Sequence, residues 1–150
     1  MAIQEPKMRV MKSNDLDAIV AIDELVSKQR RSEYYERKIE SVVNSPHNIN
    51  TSLVAEVDGK IVGFVMGDVY FGEFGIPEAS ATIDTIGVHP DCQNRGVAHD
   101  LIDQFLTNMK AVGVKRIYTL VNWNDFALEH FFESHKFQPS RRINLELQLP

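Results

Sequence analysis

A hairpin signal in the middle of the chain is the feature that most constrains its fold. Two strand-like runs, TSLVAEV at residues 51–57 and KIVGFVMGDVYF at residues 60–71, are separated only by Asp58 and Gly59. An Asp-Gly pair between two such runs favours a type I′ turn, in which both turn residues have positive φ. The sequence therefore predicts two neighbouring antiparallel strands.

The segment after this hairpin predicts a pair of parallel strands. A loop punctuated by glycine and proline at residues 71–78 is followed by a strand at 79–89, a helix from about 95 to 112 and a strand at 115–121. Two strands joined by a helix are expected to be parallel neighbours with a right-handed crossover. A functional edge is then expected near the carboxyl ends of this parallel pair.

The complete order of elements predicts one α/β domain over residues 1–150. The remaining elements are a strand at 7–12, a helix from Ser13 or Asn14 to about 29, a helix from 32 to about 44, a helix at 125–135 and an alternating strand at 141–149. No repeat or linker interrupts this order, and the length suits a single core. We expect a mixed, mostly antiparallel sheet with one central parallel strand pair, flanked by helices.

Composition and charge limit the compartment and the partners. Hydrophobic residues make up 43% and charged residues 25%, which is ordinary for a globular protein. No apolar run approaches the ~18–20 residues that span a bilayer, and the start of the chain lacks the apolar core of a signal peptide. A cytoplasmic protein without a membrane partner is expected. The net charge of −5 and the dispersed lysines and arginines argue against nucleic acid.

Cysteine and histidine give no support to a metal site. Cys92 is the only cysteine, so neither an internal disulfide nor a cysteine-based zinc site is expected. Among the five histidines, His130 and His135 are five residues apart and fall on different faces of the last predicted helix. We predict no metal.

The turn PDCQNRGVAHDL at residues 90–101 has the parts of a diphosphate-binding loop. The start of a helix presents unpaired backbone N–H groups and a partial positive charge. Gly96 removes a side chain where a phosphate oxygen would approach, Ala98 keeps the next turn slim, and Arg95 adds a cation. The alternative is that Gly96 serves only a tight turn and Arg95 is solvated, since the loop matches neither a Walker A loop nor a Gly-x-Gly-x-x-Gly fingerprint.

The preceding strand adds a second indication. Gly87 lies inside an apolar strand, where glycine often marks a bulge or a close approach by a ligand. A bulge there would splay the strand at 79–89 from the strand at 115–121. Backbone groups of Ile86 and Val88 would then be open to an extended ligand with amide groups. A ligand that carries both amides and a diphosphate is coenzyme A.

The stretch IGVHPDCQNRGVAHDL resembles the acetyl-CoA-binding motif of the GNAT superfamily of N-acetyltransferases, Gln/Arg-x-x-Gly-x-Gly/Ala. Gln93, Gly96 and Ala98 take its fixed positions. Asn94 stands where relatives often have glycine, and asparagine also accepts unusual backbone angles. The two early helices, the Asp-Gly hairpin and the late segment NWNDFALEHFFESHKF follow the order of the family, so the resemblance covers nearly the whole chain.

This resemblance implies a GNAT-like fold and acetyl-CoA as the cosubstrate. Main-chain groups of Ile86, Gly87 and Val88 would hold the pantetheine arm. The residues whose backbone amides would hold the pyrophosphate are Gln93, Asn94, Arg95, Gly96, Val97, Ala98 and His99. Asn124 would contact the cofactor arm or merely cap the last helix.

Acetyl transfer to an amine also needs proton transfers. An alkylamine with a pKa near ~10 is mostly protonated at neutral pH, so a base must act. Asp84, in the strand entering the cleft, is the first candidate base, and Glu73 in the glycine-flanked loop is the second. Structural alternatives are a carboxylate that orders the neighbouring loop for Asp84 and a solvated acid for Glu73. A backbone N–H near Gly87–Val88 would polarise the thioester carbonyl.

The acid and the acceptor are less defined. By the resemblance, Phe132 takes the position near the cofactor where many relatives have a tyrosine that acts as the acid. Phenylalanine cannot protonate the CoA thiolate, so water or another group must do so, or the thiolate leaves without a proton. The walls of the acceptor site are expected from the first two helices, where Tyr34, Tyr35 and Arg37 are candidates, from the loop at 71–78 and from the end of the chain.

The leading interpretation is direct transfer of acetyl from acetyl-CoA to a primary amine. The acceptor is a small amine, an amino acid, a polyamine, or a protein lysine or N-terminus. One alternative is a non-catalytic acyl-CoA-binding regulatory module, favoured by the missing tyrosine and disfavoured by Asp84 and Glu73. Others are an ATP- or NAD-binding domain, for which no ribose or phosphate ligand is found, and an acyl-Cys92 route. A homodimer is a further expectation.

Overall fold

The computed structural model describes residues 5–44 and 51–150. The chain divides into two compact units, Met1–Thr119 and Leu120–Pro150. The first unit contains a sheet of five strands in the order β1-β2-β3-β4-β5. These are β1 (Lys7–Val10), β2 (Leu53–Val57), β3 (Lys60–Phe71), β4 (Ala79–Val88) and β5 (Arg116–Thr119). Its helices are α1 (Leu16–Ser27), α2 (Ser32–Val43) and α3 (Val97–Ala111).

The pairing of the strands confirms the predicted α/β class. Strands β1 to β4 are antiparallel to their neighbours, whereas β4 and β5 are parallel. Asp58 and Gly59 have φ angles of 52° and 76°, as the I′ hairpin between β2 and β3 requires. The parallel pair lies at one edge of this sheet rather than at its centre, because no described strand pairs with the far side of β5.

The sheet packs against helices on both faces. On one face, buried side chains of α1 and α2 form a cluster with Phe64 and Met66 of β3; these helix side chains are Ile19, Val20, Ile22, Tyr35 and Ile39. On the other face α3 buries Val97, Leu101, Ile102, Phe105 and Met109. Helix α3 lies so close to the sheet that a Cβ on Gly67 would come 2.6 Å from the ring of Phe105.

Two details of the predicted helices differ. Val26 and Val43, apolar residues in the last turns of α1 and α2, are 46% and 39% exposed. The N-terminus of α1 is not capped by Ser13 or Asn14, which form a 3-10 turn with Asp15 instead.

Asp15 joins this turn to the sheet. Its carboxylate is buried and accepts hydrogen bonds of 2.7 and 2.8 Å from the guanidinium of Arg9 and one of 2.7 Å from the backbone N–H of Lys12. Arg9 also donates to Glu56 at 2.7 Å. Burial acts to raise the pKa of Asp15, but the hydrogen bonds from Arg9 and Lys12 outweigh it and lower the pKa.

The second unit contains α4 (Phe126–Ser134), followed by a carboxyl-terminal segment without assigned helix or strand. The expected strand at 141–149 is wrong: these described residues form no ladder with any described strand. Side chains at alternate positions, Ile143, Leu145, Leu147 and Leu149, are 78–84% exposed. Alternation predicts a strand only where a neighbouring strand supplies hydrogen bonds.

Candidate functional site

The two parallel strands pair along only part of β4. Strand β5 pairs with β4 where Ser80–Ile83 face Arg116–Thr119. The Thr119 hydroxyl donates to the carbonyl oxygen of Ile83 at 2.9 Å at the point where the pairing ends. Beyond it β4 continues to Val88, and among the described strands only β3 pairs with this part of it. The other edge of β4 past Ile83 therefore pairs with no described strand, as the predicted opening requires.

The bulge that accompanies this opening lies at Asp84, and the prediction of a bulge at Gly87 is wrong. Ile83 is opposite Gly67 and Thr85 is opposite Met66, so Asp84 has no partner in β3. The residue as a whole is exposed although its side chain is only 23% exposed, so the exposed part is the main chain. A bulge places an extra residue in one strand and bends it.

Gly87 is a glycine for a different reason. A Cβ at this position would come 2.8 and 2.9 Å from two ring carbons of Phe64, which lies opposite it in β3. The absence of a side chain at Gly87 thus makes room for a core aromatic ring. The sequence did carry a signal for the true bulge: Ile83 and Ile86 are three residues apart, a step that strict alternation does not allow.

The turn after β4 is tied back to the strand by side chains. The side-chain amide of Gln93 donates to the carbonyl oxygen of Val88 at 3.1 Å, so this carbonyl is already paired. His89 Nδ1 accepts the N–H of Asp91 at 3.1 Å, and the Cys92 N–H donates to the His89 carbonyl at 2.8 Å. Gln93 therefore acts through its side chain to hold the loop in place.

The residues after Gln93 form an open helix start. Asn94 and Gly96 have φ angles of 63° and 82°, which confirms that asparagine accepts the unusual backbone there. Helix α3 begins at Val97, and the Asp100 N–H closes its first turn on the Gly96 carbonyl. The amides before that bond have no acceptor within the helix. A Cβ on Gly96 would meet nothing within 4 Å, so space lies in front of these amides. This geometry suits an anion.

Asp84 makes an ion pair with Lys38 of α2. The Lys38 Nζ lies 2.5 Å from the Asp84 Oδ2, and the Thr82 hydroxyl donates to Oδ1 at 3.2 Å. Partial burial acts to lower the pKa of Lys38, but the hydrogen bond and the charge of Asp84 raise it further than burial lowers it. The surroundings of Asp84 thus contain a cation, and Asp84 lies on the face of the sheet that α2 covers.

A second buried carboxylate fixes the start of α2. The guanidinium of Arg31 donates to both oxygens of Asp23, at 2.9 and 2.5 Å, and the Tyr35 hydroxyl donates at 2.9 Å. Burial raises the pKa of Asp23, but these hydrogen bonds lower it by more. Tyr35 is fully buried, which removes it as a candidate wall of the acceptor site, whereas Tyr34 and Arg37 are exposed.

Lys38 and Asp23 were missed by the sequence reasoning. Asp23 carried a signal, because it interrupts the apolar face formed by Ile19, Val20 and Ile22. Lys38 carried none, since its contact with Asp84 depends on how α2 lies across the sheet.

Glu73 lies at the other end of the hairpin between β3 and β4. It belongs to a short 3-10 turn, Glu73–Gly75, in the loop before Ala79, and it is exposed. Ala79, at the end of that loop, and Asp84 are five residues apart in β4, a span of about 16 Å. Asp84 lies next to the point where the pairing of β4 with β5 ends, whereas Glu73 lies in the loop before the strand begins.

The candidates in the second unit have local roles. Asp125, not Asn124, caps α4, because its carboxylate accepts the Leu128 N–H at 3.1 Å. The capping alternative for Asn124 is therefore wrong. Phe132 is buried, and its ring centroid lies 5.3 Å from that of Phe131 and 5.1 Å from that of Phe137.

The described residues also limit other kinds of site. In residues 5–44 and 51–150, no three side chains of histidine, cysteine, aspartate or glutamate converge as metal ligands. None of the helices in those ranges is long and apolar enough to cross a membrane.

Comparison with known proteins decides the family. The sequence matches the Acetyltransferase (GNAT) family over residues 16–137. The chain belongs to this family. An acetyltransferase of Pectobacterium atrosepticum is 31% identical over 143 residues, which cover 95% of each chain.

Solved structures share the fold of this GNAT protein. A transcriptional regulator from Bacillus halodurans superposes with a TM-score of 0.79 at 18% identity, over 96% of this chain and 99% of the other. An aminoglycoside N-acetyltransferase in complex with CoA superposes with a TM-score of 0.77 at 14% identity, over 99% of both chains. The resemblance inferred from Gln93, Gly96 and Ala98 is confirmed at the level of the family.

Proposed function

We propose that the protein is an acetyl-CoA-dependent N-acetyltransferase that passes acetyl directly from the thioester to a primary amine. The observation that carries the proposal is the edge of β4 past Ile83, which pairs with no described strand, together with the open N-terminus of α3. The free edge of β4 can pair with the amides of an extended ligand arm, and the N-terminus of α3 can bind a diphosphate. Membership of the GNAT family supports this assignment.

The proposed cofactor site follows these two features. Main-chain groups of Ile86 and the N–H of Val88 would pair with the pantetheine arm along the free edge of β4, with Gly87 between them, while the Val88 carbonyl keeps its bond from Gln93. The amides of residues 93–99 would bind the pyrophosphate, with Arg95 adding positive charge. Asn124 and Phe132 remain proposed neighbours of the cofactor.

The proposed chemistry centres on Asp84. It lies where the strands separate, so an acceptor ammonium that donates to its carboxylate would lose its proton along that hydrogen bond or through water. Glu73 is kept as the second candidate base. The phenyl ring of Phe132 supplies no proton, and a thiolate with an ordinary thiol pKa of ~8.5 leaves without one or takes it from water.

The proposed partners are a small-molecule or peptide amine and a second copy of the chain. The four exposed apolar side chains of residues 143–149 support a homodimer, because such alternation suits a strand paired with another chain. The acidic net charge of −5 supports a cytoplasmic protein that binds neither nucleic acid nor membrane.

Calorimetric titration with acetyl-CoA tests the proposal. Micromolar binding is expected, with at least about 100-fold weaker binding in Gly96→Glu, because a carboxylate then occupies the space in front of the amides. Gly113→Glu is the matched control: Gly113 follows the other end of α3, has a φ of 87° and also has open space at its Cβ position. It carries the same backbone strain without the anion site.

Three outcomes oppose the proposal. Lack of acetyl-CoA binding by folded wild type would remove the cofactor site, and equal losses in both glycine variants would assign the effect to strain. Binding without transfer to any amine would leave the regulatory module as the function.

A further inference from the structure

The ion pair of Asp84 and Lys38 occupies the place where the acceptor amine would bind. The side chain of Lys38 is 28% exposed and that of Asp84 is 23% exposed, so neither charge is fully hydrated. With Lys38 at 2.5 Å and the Thr82 hydroxyl at 3.2 Å, both oxygens of Asp84 already have a partner. An acceptor ammonium that reaches Asp84 must therefore share this carboxylate with Lys38 or displace Lys38.

The presence of Lys38 beside Asp84 has a consequence for the charge of the acceptor. Lys38 remains protonated at neutral pH, since Asp84 raises its pKa despite partial burial. An acceptor that brings only an ammonium would place two cations beside one carboxylate. A half-buried cation that has lost its partner is unfavourable. An acceptor that also brings an anion would convert one ion pair into two.

The surroundings carry charges of both signs. Asp68 is opposite Thr82 in the β3–β4 ladder, so its side chain shares the sheet face of Asp84. Lys38 and Arg37 belong to α2 and line a depression of about 400 Å³ with Glu33, Tyr34 and Ser41. The sheet side therefore carries two carboxylates, and the helix side adds two cations and the carboxylate of Glu33.

We infer that the acceptor is a small zwitterion, an amino acid or a compound with the same adjacent amine and carboxylate. Its ammonium binds Asp84 and its carboxylate binds Lys38. This inference rests on the proposed function and selects one class among its acceptors. Polyamines and amines without a carboxylate lack the group that Lys38 requires.

Matched acceptor pairs test the inference. CoA release is measured with acetyl-CoA and each of the twenty L-amino acids, each amino acid as its C-terminal amide, and spermidine. We expect at least one amino acid to be acetylated with a kcat/KM about tenfold or more above that of its own amide, because a charged hydrogen bond is lost in the amide. The difference is expected mainly in KM.

Variants assign the preference to Lys38. Lys38→Met is expected to raise KM for the amino acid about tenfold and to leave the amide nearly unaffected, whereas Lys38→Arg keeps most of the preference. Arg30→Met is the matched control, since Arg30 pairs with Glu24 on the exposed surface at 2.9 Å and does not contact Asp84. It should change neither KM.

Every other result contradicts the inference. Equal or faster transfer to the amides or to spermidine would show that no carboxylate is recognised. Equal losses for both acceptor forms in Lys38→Met would reduce Lys38 to a structural partner of Asp84. Acetyl-CoA binding without acetylation of any amino acid would reject the class while leaving the cofactor site intact. Failure to bind acetyl-CoA would instead reject the proposed function itself.

Discussion

Asp84 reaches its position because β4 contains one residue more than β3 can pair with. The sequence predicted this aspartate as the base and the strand that carries it, but it assigned the bulge to Gly87. A glycine in a strand indicates that a side chain is absent there but not which neighbouring group occupies the space. At Gly87 the ring of Phe64 occupies it. Asn94 and Gly96 were predictable because a positive φ depends on local backbone chemistry.

Neutral variants of the two candidate bases test the assignment at the scale of the residue. We expect Asp84→Asn to lower kcat/KM by about 100-fold or more, since the amine loses its proton acceptor. Glu73→Gln is the parallel variant, and the base is the residue whose variant loses more, measured as CoA release at saturating acetyl-CoA.

The variant Asp84→Asn also breaks the ion pair with Lys38, and a control separates that effect from the loss of a base. If the loss arose only from an unpaired lysine, the double variant Lys38→Met/Asp84→Asn would regain activity. Unchanged rates in both Asp84→Asn and Glu73→Gln would show that neither carboxylate is the base.

Apart from the strand at 141–149, the helices and strands were predicted with bounds close to those observed because each has a local pattern. The I′ hairpin, the buried face of α3 and the left-handed Gly113 after it are all encoded within a few residues. The links between elements were not predictable in this way. Asp15 joins α1 to the sheet and Asp23 joins α1 to α2 through arginines six and eight residues away. A sequence offers several arginines that could pair with each of these carboxylates, so the sequence alone does not select the pairs that form.

These two carboxylates predict the acid sensitivity of the packing of α1. Both have a pKa lowered in the folded state, so their stabilisation is present above the unfolded pKa of ~3.9 and is lost as the pH falls through the folded values. We expect Asp15→Asn/Asp23→Asn to reduce the free energy of unfolding at pH 7 by about 1–3 kcal/mol per site. The difference from wild type should shrink as the pH falls below about 4.

Urea unfolding at a series of pH values measures this difference. Asp17→Asn is the control, because Asp17 lies exposed in the first turn of α1 and is expected to follow wild type. A double variant whose deficit is the same at every pH would show that shape, rather than charge, accounts for the loss.

At the scale of the whole molecule, the family and the element order were accessible from the sequence, whereas the fate of the last segment was not. Residues 141–149 have the alternation of a strand, but pairing is a property of two segments and only one is encoded there. In the structure their apolar side chains remain exposed.

The mass of the protein in solution tests the role of this segment. We expect light scattering after size exclusion to give about twice the chain mass of 17.1 kDa, because burying the alternating leucines between two copies removes them from water. Leu145→Lys/Leu147→Lys should yield monomers, whereas Asn144→Lys/Glu146→Lys, on the alternate positions, should not. A monomeric wild type would contradict the homodimer.

The bulge at Asp84 also separates two kinds of genetic change. Ile83 is opposite Gly67 and Ile86 is opposite Val65, and both lie on the face toward α3 because one unpaired residue intervenes. Exchanging Asp84 for another residue keeps that arrangement. Deleting its codon would make Thr85 the direct neighbour of Ile83, so the pairs with Gly67 and Met66 would become consecutive and residues 85–88 would keep their present faces, but the bulge would be lost. An exchange at position 84 therefore alters only the chemistry of the strand, whereas a deletion would remove the carboxylate and the bend together.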